Sequence, residues 1–218
     1  SGRKWSSTYD CRFKIMQYSE NIHNSTLEPL KPLTKKHKEI IGTLEKMLEK
    51  GIPELTMSEL ASKLKISLRT LYEIAPSKDQ LITMTVDNIL KKLGKSALEQ
   101  VSKIESPIDK LDTYLSIVNQ AVGPKFDAYI KGLGKINGSS EMIDYHEAFI
   151  TKYTEKLLVE AISVNEIQKI DPNAFAILLG GIGREFAKSK NRSSINESPE
   201  KSANSVTKVI LKGIRLEN

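Results

Sequence analysis

The sequence predicts an all-α chain. Apolar residues recur three and four apart along most of its 218 positions, and no sustained period-two alternation or Asn-Gly hairpin between β-branched runs interrupts them. Capping residues, several followed by Pro, cut the chain into helix-length pieces. With 39% hydrophobic and 28% charged residues, it has the composition of a soluble globular protein. Its length suits either one large domain or a small one joined to a larger one.

Residues 1–33, with Trp5, Tyr9 and Tyr18 among many polar positions, show no clear period and read as an irregular arm with one short helix around Cys11–Tyr18. From Thr34 a helix of about four turns sets Ile40, Ile41, Leu44, Met47 and Leu48 on one face, and Gly51 with Pro53 ends it. Thr56 and Glu59 have capping-box spacing and start a short second helix with Met57, Leu60, Ala61 and Leu64 inward. Ser67 caps a third helix. Leu68, Leu71 and Ala75 are expected to face inward there, beside Ile66 and Ile74, with Arg69, Thr70 and Glu73 outward.

Pro76 stops the third helix, and Ser77 to Gln80 opens a fourth, expected over about Lys78–Leu93 and ending near Gly94. Ser106-Pro107 opens a helix through Val122 on Leu111, Tyr114, Leu115 and Val118, and Gly123-Pro124 separates it from a helix over Lys125–Leu133. A long helix covers about Glu141–Ile162. Asp171-Pro172 and Ser198-Pro199 start two more, reaching about Ala187 and Gly213.

Charge is distributed unevenly. Residues 1–33 carry a net charge of +2, residues 34–95 of +4 and residues 96–218 of zero. That asymmetry is expected where the first part of a chain meets a polyanion; on charge alone, a solvated basic surface explains it equally well. No segment has the ~20 apolar residues of a membrane helix, and the N-terminal residues lack the apolar run of a signal peptide, so a cytoplasmic location without membrane association is expected. Cys11 is the single cysteine and has no neighbour at metal-ligand spacing. His23, His37 and His146 lie in unrelated segments, with no nucleophile elbow, and the GGIG at 180–183 follows no strand. No catalytic residue, metal ligand or cofactor is predicted.

Residues 56–75 therefore read as two short helices joined by a tight turn, the second with a polar face outward. A helix-turn-helix has this form, and its brevity has a physical reason. The DNA major groove admits one helix, of which only the first turns reach base edges. A plain helical hairpin is the alternative.

The block LTMSELASKLKISLRTLYEIAPSKDQLI, residues 55–82, resembles the TetR family of bacterial transcriptional regulators. Thr56, Leu60-Ala61, Ser67, Thr70-Leu71-Tyr72 and Ser77-Lys78 carry the likeness, and the order of later helices agrees with it. Two positions depart from the family pattern: Lys65 stands where Gly is usual in the turn, and Ile74-Ala75 where an aromatic or His precedes Phe.

The resemblance implies an arm over 1–33, a helix-turn-helix domain over 34–80, and a ligand-binding and dimerisation domain over 81–218, with residues 78–93 as the connecting helix. It implies a repressor on a palindromic double-stranded DNA operator, released by an unknown small molecule. Tyr72, Lys78, Thr56 and Ser67 are then phosphate contacts. Arg69 is the leading base reader, since a guanidinium can bond both acceptors of a guanine edge, and Leu68 and Thr70 can meet a thymine methyl.

Helices over about 172–187 and 199–213 would form the homodimer through Phe175, Leu178, Leu179 and Ile182 and through Ala203, Val206, Ile210 and Gly213, with Gly180, Gly181 and Gly183 allowing close approach. Tyr114, Phe126, Tyr129, His146, Phe149 and Tyr153 are candidate ligand-lining residues. Aromatic residues at helical spacing equally suit an ordinary core. A helical interaction module and a small helical enzyme are the readings from other classes.

Overall fold

The computed structural model describes residues 32–216. The expected arm and its short helix lie almost wholly outside that range.

Side-chain caps begin most of the helices. Thr34, Thr56, Ser67, Ser77, Ser106 and Ser198 each accept a hydrogen bond from the backbone N–H three residues on, and Asp171 accepts from Asn173 and Ala174. Each such cap contributes about 1 kcal/mol to an otherwise frayed end. Nine helices of seven or more residues follow among the described residues, and no strand. No helix among them is long and apolar enough to cross a membrane.

The first three helices, α1 (Lys35–Leu48), α2 (Met57–Lys63) and α3 (Leu68–Ile74), pack on the start of α4 (Lys78–Val101). Their shared core contains Ile40, Leu44, Leu60, Leu71, Ile74, Ala75, Leu81 and Met84. Ile74, Ala75 and Met84 thus fill the space under α3 where the family pattern has a larger ring. Leu68 departs from expectation: it is 39% exposed and points away from this core. Leu71, Ile74 and Ala75 already close the inner face, and Leu68, the first residue of α3, stands about 60° around the helix from Leu71 and about 120° from Ile74, at the border of that face.

The turn between α2 and α3 shows how Lys65 replaces a glycine. Lys65 is left-handed at φ 55°. Its N–H donates to the carbonyl of Ser62 (3.0 Å), and that of Ile66 to the carbonyl of Ala61 (3.0 Å). Those two bonds form a Schellman motif, which satisfies the last carbonyls of α2 and aims the chain into α3. A lysine here holds its strained conformation at a cost of about 1 kcal/mol.

The remaining helices are α5 (Pro107–Val118), α6 (Pro124–Leu133), α7 (Ser139–Ser163), α8 (Pro172–Ala187) and α9 (Pro199–Ile214). Two boundaries differ from expectation. Helix α4 runs through Gly94 to Val101, because Ala97, Leu98 and Val101 are buried in the second core with Leu111, Leu115, Leu158 and Leu179. Their burial outweighs the roughly 1 kcal/mol that a mid-helix Gly costs. Helix α5 ends at Val118 and tightens into a 3₁₀ turn over Asn119–Val122. A third cluster, of Leu48, Ile82, Val86, Phe126, Leu133 and Met142, ties α1 and α4 to α6 and α7. Helix α4 therefore belongs to both halves of the molecule.

Candidate functional site

Helix α3 is the more exposed candidate. On its outer face stand Leu68, Arg69 and Tyr72; the Arg69 side chain is 89% exposed. Leu68, 39% exposed, and Tyr72, 47% exposed, leave a large part of their apolar surface in solvent. Arg69 is not randomly extended, since its Nε donates to Glu73 Oε1 at 3.3 Å. The other oxygen of Glu73 faces His37 Nε2 of α1 at 3.6 Å. Glu73, which from sequence alone could equally accept from a base or repel one, here orients the guanidinium.

The predicted backbone-contacting groups border the same face. Ser67 caps α3 and shares a 2.7 Å hydrogen bond with the hydroxyl of Thr70. Thr56 donates to Glu59 through its N–H (2.7 Å) and its hydroxyl (2.8 Å), completing the capping box. Those bonds, the backbone one foremost, hold the Glu59 carboxyl below its ordinary pKa, and Lys78 at the start of α4 adds to the effect. Thr56, Ser67, Leu68, Arg69, Thr70, Tyr72 and Lys78 thus lie on or beside one short, locally well-capped unit.

The second candidate is a pocket between helices, open to solvent on one side. A cavity of about 120 Å³ lies between α4, α5, α7 and α8. Of the sequence candidates, Tyr114, His146 and Phe149 line it. Tyr153 packs behind, edge-on to Tyr114 at 4.6 Å between ring centroids and stacked on Phe149 at 6.4 Å. Phe126 lies elsewhere, in the junction cluster, beside a recess bordered by Glu45, Glu49 and Lys92. Tyr129 is in α6, and its side chain lies outside the described set.

Of the polar groups in and beside the cavity wall, His146 was singled out from sequence, whereas Asp87, Lys91, Glu147 and Arg184 were not. His146 Nε2 meets Asp87 Oδ1 of α4 at 2.8 Å, and Lys91 Nζ meets Asp87 Oδ2 at 2.5 Å. Asp87 and His146 are both buried. Burial opposes ionisation of Asp87, but hydrogen bonds from His146 and Lys91 outweigh it and hold the carboxyl below its ordinary pKa. Burial, aided by the Asp87 charge, pushes the neighbouring Tyr145 phenol up. Across the cavity Arg184 is paired with both Glu147 and Asp144; Glu147 chiefly strengthens its hold on its proton against the opposing effect of burial. One signal was available for Asp87: an acidic residue one turn after buried Thr83 and seven positions before buried Gly94 sits on an inward face of α4.

The face expected to join two copies is redistributed. Leu179, Ile182 and Ala203 are buried within this chain, whereas Ile177, Leu178, Val206 and Val209 are exposed along α8 and α9. The expected glycine approach also occurs inside the chain. A methyl on Gly180 would sit 2.5 Å from Thr151 Oγ1 and 3.2 Å from its Cα, and one on Gly183 3.0 Å from Asn119 Oδ1.

No protein-family model matches the chain, and no curated protein matches it in sequence. Solved structures do match. One from Rhodococcus sp., described as a TetR-family transcriptional regulator, superposes with a TM-score of 0.64 at 14% identity, over 83% of this chain and 99% of its own. A TetR-family transcriptional regulator from Agrobacterium tumefaciens gives 0.61 at 12% identity, over 82% and 97%. The fold is that of the TetR-family regulators. AibR, crystallised with isovaleryl coenzyme A and operator DNA, shares this TetR fold with a TM-score of 0.55 at 18% identity, over 80% of this chain and 97% of its own. In that fold α2 and α3 are the helix-turn-helix, and the cavity belongs to the larger helical domain.

Proposed function

We propose that the protein is a TetR-type transcriptional repressor that binds a palindromic operator as a homodimer and releases it when a small molecule enters the cavity. The carrying observation is α3: a two-turn helix set by a Schellman turn, with Leu68, Arg69 and Tyr72 presented outward on a TetR fold. Such a helix fits a major groove, where Arg69 reads a guanine edge while Tyr72, Lys78, Thr56 and Ser67 hold phosphates. AibR, of the same fold, is found in complex with isovaleryl coenzyme A and operator DNA, which supports pairing the two roles in one chain.

One α3 reads only a few base pairs, so two copies are needed for a long site. Ile177, Leu178, Val206 and Val209 supply the apolar surface for a second copy. Coupling runs along α4, whose first residues carry the helix-turn-helix core and whose Asp87 holds His146 at the cavity wall. A ligand that moves His146 acts directly on this helix. Residence among soluble cytoplasmic regulators and the absence of catalysis follow from this reading.

Titrating the protein onto the DNA upstream of its own gene, at two salt concentrations, tests the proposal. Two chains per duplex and a steep loss of affinity at the higher salt are expected. No binding at either salt overturns it and favours an interaction module.

A further inference from the structure

We infer that the effector is a small molecule with an apolar or aromatic body and no negative charge, and that the cavity rejects carboxylates. The inference rests on reading the cavity as the effector site. Volume sets the first limit: the space is about 120 Å³, somewhat less than a protein cavity known to take benzene, and it opens to solvent on one side. A body of about one six-membered ring fits it, with a short substituent reaching the open side.

Charge sets the second limit. Among the described residues Arg184 is the one cationic side chain of fixed charge on the cavity wall, and an anionic ligand would need it. Its guanidinium is already met by two carboxylates, Glu147 on the wall and Asp144 beside it. This group therefore carries one negative charge in excess. The charge of Asp87 is met by Lys91, so that neighbouring pair supplies no surplus cation either. An entering carboxylate would lose part of its hydration, meet no unmatched positive charge among these groups and be repelled by Glu147.

The remaining wall favours an apolar body. Leu93, Val118 and Ile150 are aliphatic, and Tyr114 and Phe149 present rings, while Asn119 and His146 supply hydrogen-bonding groups. Aromatic walls of this kind pack flat rings well. Ligand specificity accordingly comes from shape and from the exclusion of anions, with the Arg184 group as the excluding element.

Calorimetric titration of the full chain with three probes of similar size, benzyl alcohol, benzylamine and benzoate, tests this. Benzyl alcohol is expected to bind at least tenfold more tightly than benzoate. In Glu147→Gln, which removes one of the two carboxylates on Arg184, the disadvantage of benzoate is expected to shrink several-fold. Benzoate binding as tightly as benzyl alcohol to the unaltered protein, or failure of all three probes to bind, overturns the inference. The unaltered chain decides the case even if the variant is unstable. DNA binding measured on the same preparation separates the two proposals. Probe selectivity with no DNA binding leaves the cavity chemistry standing and defeats the repressor, whereas DNA binding without probe selectivity does the reverse.

Discussion

The two halves of the molecule deploy their polar groups in opposite ways. On α3 the polar and apolar side chains that matter are exposed to solvent wholly or in part, and the pair of Arg69 with Glu73 is exposed. In the larger helical domain Asp87 and His146 are buried, and each is matched to a specific partner. Exposed pairs are cheap to change and contribute little to folding, whereas buried ones are costly to break. Substitutions on α3 should therefore alter what the protein binds, and substitutions around Asp87 should alter whether it folds and how its halves communicate.

The sharpest way to break this contrast is Asp87→Ala. It leaves Lys91 without its acceptor and His146 buried without Asp87, and a loss of about 2–3 kcal/mol in urea unfolding is expected. A loss below about 0.5 kcal/mol would mean that the buried pair contributes little and that the two halves differ less than claimed.

Acid titration sharpens the same contrast. Because the native Asp87 pKa is lowered, its ionised form stabilises the fold fully above the unfolded value of about 4, and that contribution is lost as pH falls through the lower native value. Unfolding followed by circular dichroism should show this part of the acid-side slope in the unaltered protein and not in the Asp87 variant. Equal slopes would contradict the assignment.

A smaller effect is expected in the turn before α3. Lys65→Gly relieves a left-handed lysine, while glycine adds freedom to the unfolded chain, so the net gain is about 0.5 kcal/mol. A loss of stability in urea unfolding would show that the lysine side chain supports the turn in a way its backbone conformation does not explain.

The features legible in the sequence were those set by neighbours along the chain. Thr34, Thr56, Ser67, Ser77, Asp171 and Ser198 announced helix starts because a cap needs only the next three residues. Leu71 and Leu60 announced the inner faces of α3 and α2 by period alone. Positions decided by distant packing were not legible. Gly94 looked like a stop, but the burial of Ala97, Leu98 and Val101 carries α4 through it. Leu68 fitted an apolar period, yet the inner face was already filled. The link between Asp87 and His146 spans 59 residues of sequence, and Arg184 reaches Glu147 across 37; spacing along one helix cannot reveal either.

The central claim is that α3 reads base sequence through Arg69. Fluorescence anisotropy of the unaltered protein and Arg69→Ala, on the upstream palindrome and on a scrambled duplex at one salt concentration, tests it most directly. A loss of about 1–3 kcal/mol in affinity for the palindrome is expected, with far less change on the scrambled duplex and an unchanged melting temperature. Equal affinity of the two proteins for the palindrome would contradict the claim.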